Sequence, residues 1–221
     1  MIHKTPTQPV LMFVAILSVM GLIPVPEGSE QAVIEVTVRE GTNMAAALSP
    51  DGRTMAIDAL GRIWTLPATG GTAIALTDPE GDARQPSWSP DGTRIAFQAY
   101  WAGDYDIWAV NVDGSGLAQI TSGPFDDREP HWSPEGSSIA FSSDRSGTYD
   151  IWEVALVDGE AQRLTNGGDN EYGPAYSPAG DALAYVADGS STGVWIRSSL
   201  EATDRVADTY SVGSNLFAVS W

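Results

Sequence analysis

Three stretches of the chain place acidic and basic side chains in one register ahead of a proline: Asp82-Ala83-Arg84-Gln85-Pro86, Asp126-Asp127-Arg128-Glu129-Pro130 and Asn170-Glu171-Tyr172-Gly173-Pro174. Carboxylates and guanidinium groups repeated in this way suit a polar ring that holds a ligand or a partner. The residues that would form it are Asp82, Arg84, Asp126, Asp127, Arg128 and Glu171. The same residue types also have a local use. Asp and Asn accept hydrogen bonds from nearby backbone N–H groups, and each Arg can pair with the Asp beside it. Both readings stand at this level.

The remaining candidates for chemistry are weaker. Gly189-Ser190-Ser191-Thr192-Gly193 has the Gly-x-Ser-x-Gly spacing of a nucleophile elbow, but that motif needs a helix after it, and a β-type run with Trp195 follows here. A hairpin loop is the expectation. Outside the first segment the one histidine is His131, between Pro130 and Trp132, too few for a site of two or more imidazoles. It reads as a residue packed in an inner strand or facing a channel. Asp78-Pro79-Glu80-Gly81-Asp82 is acid-rich but lacks the ligand spacing of a calcium loop. Tyr100-Trp101 and Tyr105 either anchor a peptide or sugar or cover a neighbouring element. No catalytic set, metal site or cofactor is expected.

Composition narrows the field further. With 29 acidic and 11 basic side chains the formal charge is −18, the wrong sign for neutralising phosphates. There is no cysteine, so disulfides, Cys-based zinc sites and a lipoprotein anchor are excluded. The 23 glycines and 14 prolines interrupt helices too often for a bundle.

The elements that must position these residues are legible as a repeat. Ser-Pro-x-Gly occurs at Ser49, Ser89, Ser133 and Ser177, spaced by 40, 44 and 44 residues. An apolar triplet begins six residues later: Met55-Ala56-Ile57, Ile95-Ala96-Phe97, Ile139-Ala140-Phe141 and Leu183-Ala184-Tyr185. Next comes a tryptophan, Trp64, Trp108, Trp152 or Trp195, and a Thr stands twelve residues before each Ser (Thr37, Thr77, Thr121, Thr165). Ser-Pro-Asp-Gly is turn chemistry, and a triplet alternating large, small and large puts both large residues on one face of a strand. The first strand of each unit leads into Ser-Pro, and the fourth is expected at residues 118–121 and 162–165. Four strands per unit of this length make the blade of a β-propeller.

Trp88-Ser89-Pro90-Asp91-Gly92, Ile95-Ala96-Phe97, Tyr105-Asp106-Ile107-Trp108 and Ile120-Thr121 resemble the WD40-like (PD40) repeat of TolB-type propellers. The resemblance covers residues 33–221 and implies an all-β propeller of four-stranded blades. Glu40-Gly41-Thr42, residues 61–67 and residues 123–130 resemble the propeller that precedes the metal-dependent hydrolase domain in exported bacterial amidohydrolases. That resemblance implies a non-catalytic scaffold or substrate-access module whose partner is the hydrolase domain of its parent chain or another protein or peptide. A periplasmic interaction protein like TolB, or the propeller of a tricorn-like or prolyl-oligopeptidase-like peptidase, is the alternative.

Residues 10–23 form an uncharged apolar run, shorter than a membrane span and fitting a secretory signal. Residues 1–32 are therefore expected to be a signal peptide or N-terminal anchor with a short linker, and residues 33–221 a partial propeller. The expected location is periplasmic or secreted, with membrane contact only through an uncleaved N-terminus. Residues 33–39 alternate as a strand would, and Trp221 aligns with Trp88 and Trp132 at the start of a fifth repeat. Four blades and such a stub are not expected to close a ring of roughly 6–8 blades.

Overall fold

The Ser-Pro-x-Gly tetrapeptide folds as a closed turn at each of its four positions. The glycines Gly52, Gly92, Gly136 and Gly180 have φ of 72°, 70°, 73° and 74°, a left-handed conformation that a side chain resists. Their N–H groups donate to the carbonyl of the motif serine at 2.8–2.9 Å. The buried serine hydroxyl then accepts the N–H five residues on, from Thr54, Arg94, Ser138 and Ala182, at 2.9–3.1 Å. Ser49 and Ser89 donate in turn to Asp51 and Asp91, whose carboxyls are held below the usual range first by that hydroxyl and then by a backbone N–H. The serine is thus a structural clasp across the first hairpin of each unit.

The computed structural model describes residues 44–101 and 103–188, and the backbone of 193–198 and 204–209. All lie in one compact unit, Gly41–Trp221. The expected signal, the strand at 33–39 and the fifth-repeat stub lie outside the described residues. Sixteen strands form four antiparallel sheets of four consecutive strands each. Blade one holds β1 (Ala46–Leu48), β2 (Thr54–Ala59), β3 (Arg62–Pro67) and β4 (Ile74–Ala75). Blade two holds β5 (Arg84–Trp88), β6 (Arg94–Tyr100), β7 (Tyr105–Asn111) and β8 (Ala118–Gln119). Blade three holds β9 (Asp127–Trp132), β10 (Ser138–Ser143), β11 (Asp150–Ala155) and β12 (Ala161–Arg163). Blade four holds β13 (Asn170–Tyr176), β14 (Ala182–Asp188), β15 (Gly193–Ser198) and β16 (Asp204–Thr209). Among the described residues the ring is incomplete. No helix among the described residues is long and apolar enough to cross a membrane.

The register agrees with the repeat. The third triplet residue faces the tryptophan in every blade: Ile57 with Trp64, Phe97 with Trp108, Phe141 with Trp152 and Tyr185 with Trp195. The fourth strands are shorter than expected, because Thr121 and Thr165 leave the ladder. Their hydroxyls, and that of Thr77, accept the N–H of Ile107, Ile151 and Ile63 at 2.9–3.0 Å, so a side chain completes the edge where the backbone curls away. Residues 189–192 of the Gly-x-Ser-x-Gly spacing lie outside the described residues; β14 before them and β15 after them pair antiparallel.

Blades pack face to face, and the triplet explains how. Ile95, Phe97 and Val110 of blade two are fully buried against Ala56 and Ile63 of blade one. Ile139, Phe141 and Val154 repeat the contact against Ala96, Ile107 and Ala109. Leu183 and Tyr185 repeat it against Ala140 and Ile151. The small middle residue of each triplet is what lets the next blade approach. Trp101 packs at the first seam with its ring centroid 4.4 Å from that of Trp108, and it fills the space over Gly81 where a Cβ would stand. Trp101 therefore covers a neighbouring element, while Tyr100 is exposed beside Tyr105.

Candidate functional site

The first strands of blades two, three and four carry a bulge at the same place. Gln85, Glu129 and Gly173 adopt φ of 53°, 58° and 59°, and each is followed by a proline. The pairing with the second strand slips there, between Arg84 and Ser87, between Arg128 and His131, and between Tyr172 and Ala175. A left-handed glutamine or glutamate is uncommon and must be held by its surroundings. A side chain from the second strand of the preceding blade does so. Asp58 accepts the Gln85 N–H at 2.7 Å, Gln98 accepts the Glu129 N–H at 3.0 Å, and Ser142 faces the Gly173 N–H at 3.2 Å. Asp58 also accepts the Ala45 N–H at 2.8 Å, so one carboxylate ties the first strands of two blades.

These bulges, with Ala47, Trp88 and His131, line an open groove of about 420 Å³ across the first strands of all four blades. Glu129 brings a carboxylate to it; its Oε2 accepts the Gly173 N–H at 2.6 Å and the Ser142 hydroxyl at 2.8 Å. Burial pushes the His131 imidazole below its ordinary value, and a contact with the Trp132 carbonyl opposes this. Its Nδ1 lies 3.4 Å from the Tyr176 N–H. His131 is thus both packed and groove-facing.

The six residues singled out by type and spacing divide into two groups. Asp82, Arg84, Asp126 and Arg128 sit at the rim as ion pairs, Arg84–Asp82 at 3.0 Å and Arg128–Asp126 at 2.8 Å. They form a ladder with tyrosines. Tyr105 donates its hydroxyl to Asp82 at 3.3 Å and its N–H to Asp126 at 3.0 Å. Tyr149 donates its hydroxyl to Asp126 at 3.2 Å and its N–H to Asn170 at 3.1 Å. The Arg128 guanidinium lies 4.2 Å over the Tyr105 ring. Burial works to raise the Asp126 carboxyl, but the Tyr105 N–H, Arg128 and the Tyr149 hydroxyl hold it below the usual range. Burial first, with Asp126 adding to it, pushes the Tyr149 phenol up to about 12. Asp127 and Glu171 are different: both are buried and belong to the seams rather than to the solvent-facing rim. Asp127 pairs with Arg145 at 2.6 Å, and Glu171 accepts the Thr165 hydroxyl. Among the described residues no group of three His, Asp or Glu side chains could hold a metal ion.

A family profile, the TolB beta propeller domain (PD40), matches residues 62–211, more than half of the chain. The chain belongs to the TolB β-propeller family. Solved structures place its TolB-type blades in company. A candidate TolB from Agrobacterium tumefaciens is 25% identical with a TM-score of 0.70, over 74% of this chain and 64% of that one. TolB from Acinetobacter baumannii is 23% identical with a TM-score of 0.67, over 76% of this chain and 44% of that one. A puromycin hydrolase has the same fold at 19% identity and a TM-score of 0.56, over 75% of this chain and 28% of that one. The chain thus spans less than two thirds of the solved relatives it matches. Comparison with curated proteins gives no significant match.

Reading the sequence singled out the aligned loops but not the groove. The signal for the groove was the residue-Pro pair recurring as Gln85-Pro86, Glu129-Pro130 and Gly173-Pro174 within the aligned loops. Its meaning required φ values, since a residue before proline is ordinarily extended.

Proposed function

We propose that this chain is a non-catalytic TolB-type scaffold module of an exported protein, presenting its groove and rim to another polypeptide. The parent proposed is an amidohydrolase-like hydrolase, with the hydrolase domain as partner. The observation that carries the module reading is the ladder: polar side chains at the rim bond one another in a pattern that repeats from blade to blade. Groups held in this way give a rigid surface. The puromycin hydrolase supports a module within a longer chain, because this chain matches only 28% of it. The match to the Agrobacterium protein favours a second reading, a periplasmic interaction propeller like TolB itself.

Three measurements test the proposal. The purified chain is expected to turn over no peptide or amide. Hydrolysis abolished by a substitution among residues 44–188 would sink the non-catalytic reading. Reading the coding sequence past Trp221 separates the parents: a His-rich metal motif is expected, whereas a Gly-x-Ser-x-Gly between strand and helix selects the peptidase. Fusing residues 1–32 to a phosphatase that is active only after export should give activity, and an inactive cytoplasmic fusion would overturn the export reading.

A further inference from the structure

Asn166 is followed by Gly167 and Gly168, and no other asparagine of the chain precedes a glycine. All three residues are exposed, in the connection from β12 to β13 that leads from blade three into blade four. An asparagine ahead of a glycine can react with its own backbone. The Gly167 nitrogen attacks the Asn166 side-chain carbonyl carbon, and the side-chain amide leaves as ammonia. Water then opens the cyclic imide at either of its carbonyls, giving aspartate or isoaspartate. No catalyst is required. The glycine nitrogen must be unhindered and free of other bonds, and the side chain must be free to turn onto it.

The fold supplies its own contrast. Four Asp-Gly pairs among the described residues could close the same imide with loss of water: Asp51-Gly52, Asp91-Gly92, Asp113-Gly114 and Asp158-Gly159. In each, the glycine N–H donates to a backbone carbonyl at 2.8–2.9 Å. In each, the aspartate Oδ1 accepts the N–H two residues on at 2.9–3.0 Å. Nucleophile and electrophile are therefore both tied in all four turns. Among the described residues, none bonds the Asn166 side chain or the Gly167 N–H.

The loop has no room for the product. Gly167 lies flush against the Glu171 side chain, where a Cβ could not stand. Glu171 accepts the Thr165 hydroxyl, and its N–H donates to the Tyr149 carbonyl at 2.8 Å, which ties the loop to blade three. Isoaspartate adds a carbon to the backbone beside that contact. Either product also adds a negative charge to a loop that already holds Asp169 and Glu171.

We propose that Asn166-Gly167 is a self-modification site, at which the folded chain deamidates spontaneously with age, and that the longer, more acidic loop releases Glu171 and loosens the rim where blade four begins. Asn170, whose side chain accepts the Tyr149 N–H in the rim ladder, is the rung next to it. The site does not depend on which partner the rim meets.

The full chain is aged at neutral pH, folded in buffer and unfolded in urea, and mapped by mass spectrometry, with isoaspartate read by enzymatic methylation. Unfolding frees every pair, so the ratio of the two rates reports what the fold does to each. Folding should slow the four Asp-Gly pairs by about tenfold or more, because their hydrogen bonds must open first, and Asn166 by less than about twofold. Hydrogen exchange reads the consequence. The Glu171 N–H should exchange faster in the aged chain and stay protected in an equally aged Asn166→Gln chain. An Asn166 that stays intact, or that folding slows as much as the Asp-Gly pairs, overturns the site. An unchanged Glu171 N–H in chain shown to be modified overturns the release. The rate ratios come from the unaltered chain, so they decide even where the variant does not fold.

Discussion

At the residue scale, the repeated side chains act mainly on the backbone. Ser89 shows the economy of this: its hydroxyl accepts the Arg94 N–H and donates to Asp91, closing one hairpin with one atom. Ser89→Ala should therefore destabilise by about 1–3 kcal/mol, since it orphans a part-buried N–H. A change within error in chemical denaturation would show that water replaces the hydroxyl. Trp108 packs against Trp101 and the first seam, and Trp108→Ala should cost about 3–5 kcal/mol. A loss under about 1 kcal/mol would mean the site collapses around the gap. Asp126 gives a pH test. Its folded value lies below the unfolded one, so its contribution is present above pH ~4 and vanishes as pH falls further. Asp126→Asn should lower stability at pH 7 by about 1 kcal/mol and make no difference near pH 2; an equal loss at both would assign the effect to shape rather than charge.

At the element scale, the first strand is where the fold is strained and where the groove is made. The left-handed φ of Gln85 is held by Asp58 from the blade before, so bulge and seam are one device. Gln85→Gly should be tolerated within about 1 kcal/mol, because glycine adopts this φ freely. Gln85→Val should cost at least 2 kcal/mol, roughly the strain of a branched residue there. If both variants melt alike, the backbone does not keep its bulge. The turn, the second strand and the third strand were legible in the sequence because local chemistry fixes them: glycine φ, alternation and aromatic placement. The fourth strand was read too long, because Thr121 and Thr165 bond the third strand with backbone N–H and hydroxyl together instead of through a regular ladder.

At the scale of the whole molecule, blade one presents the face that every other described blade buries. Leu48 holds the place of Trp132, yet it is 58% exposed against 5% for Trp132. Met55 and Ile57 are half-buried where Ile95, Phe97, Ile139 and Phe141 are fully enclosed. Among the described residues no blade covers this face, and a surface built for another blade pairs chains when left open. The charge of −18 opposes that pairing, and salt near 0.15 M screens the repulsion beyond ~8 Å. Prepared without residues 1–32, the chain should self-associate increasingly as salt rises, as read by light scattering. A salt-independent monomer with one sharp melt would show that the face is tolerated in water.

The sequence by itself determined the repeat, the four-stranded blade, the constant place of each triplet and tryptophan within it and the aligned loops, because each rests on patterns within one unit of about 44 residues. It also offered each Arg a nearby Asp as partner, and the structure selects Asp82 for Arg84 and Asp126 for Arg128. Only the tertiary structure decided which acids face solvent and which are buried. Asp126 and Asp127 are neighbours in the chain, yet successive side chains on a strand point to opposite faces. One stands in the rim ladder and the other is fully enclosed and paired with Arg145. The groove has the same origin. Its bulges depend on a side chain from the preceding blade, some 27 to 31 residues away in sequence, and no local pattern can show that contact before the blades are stacked.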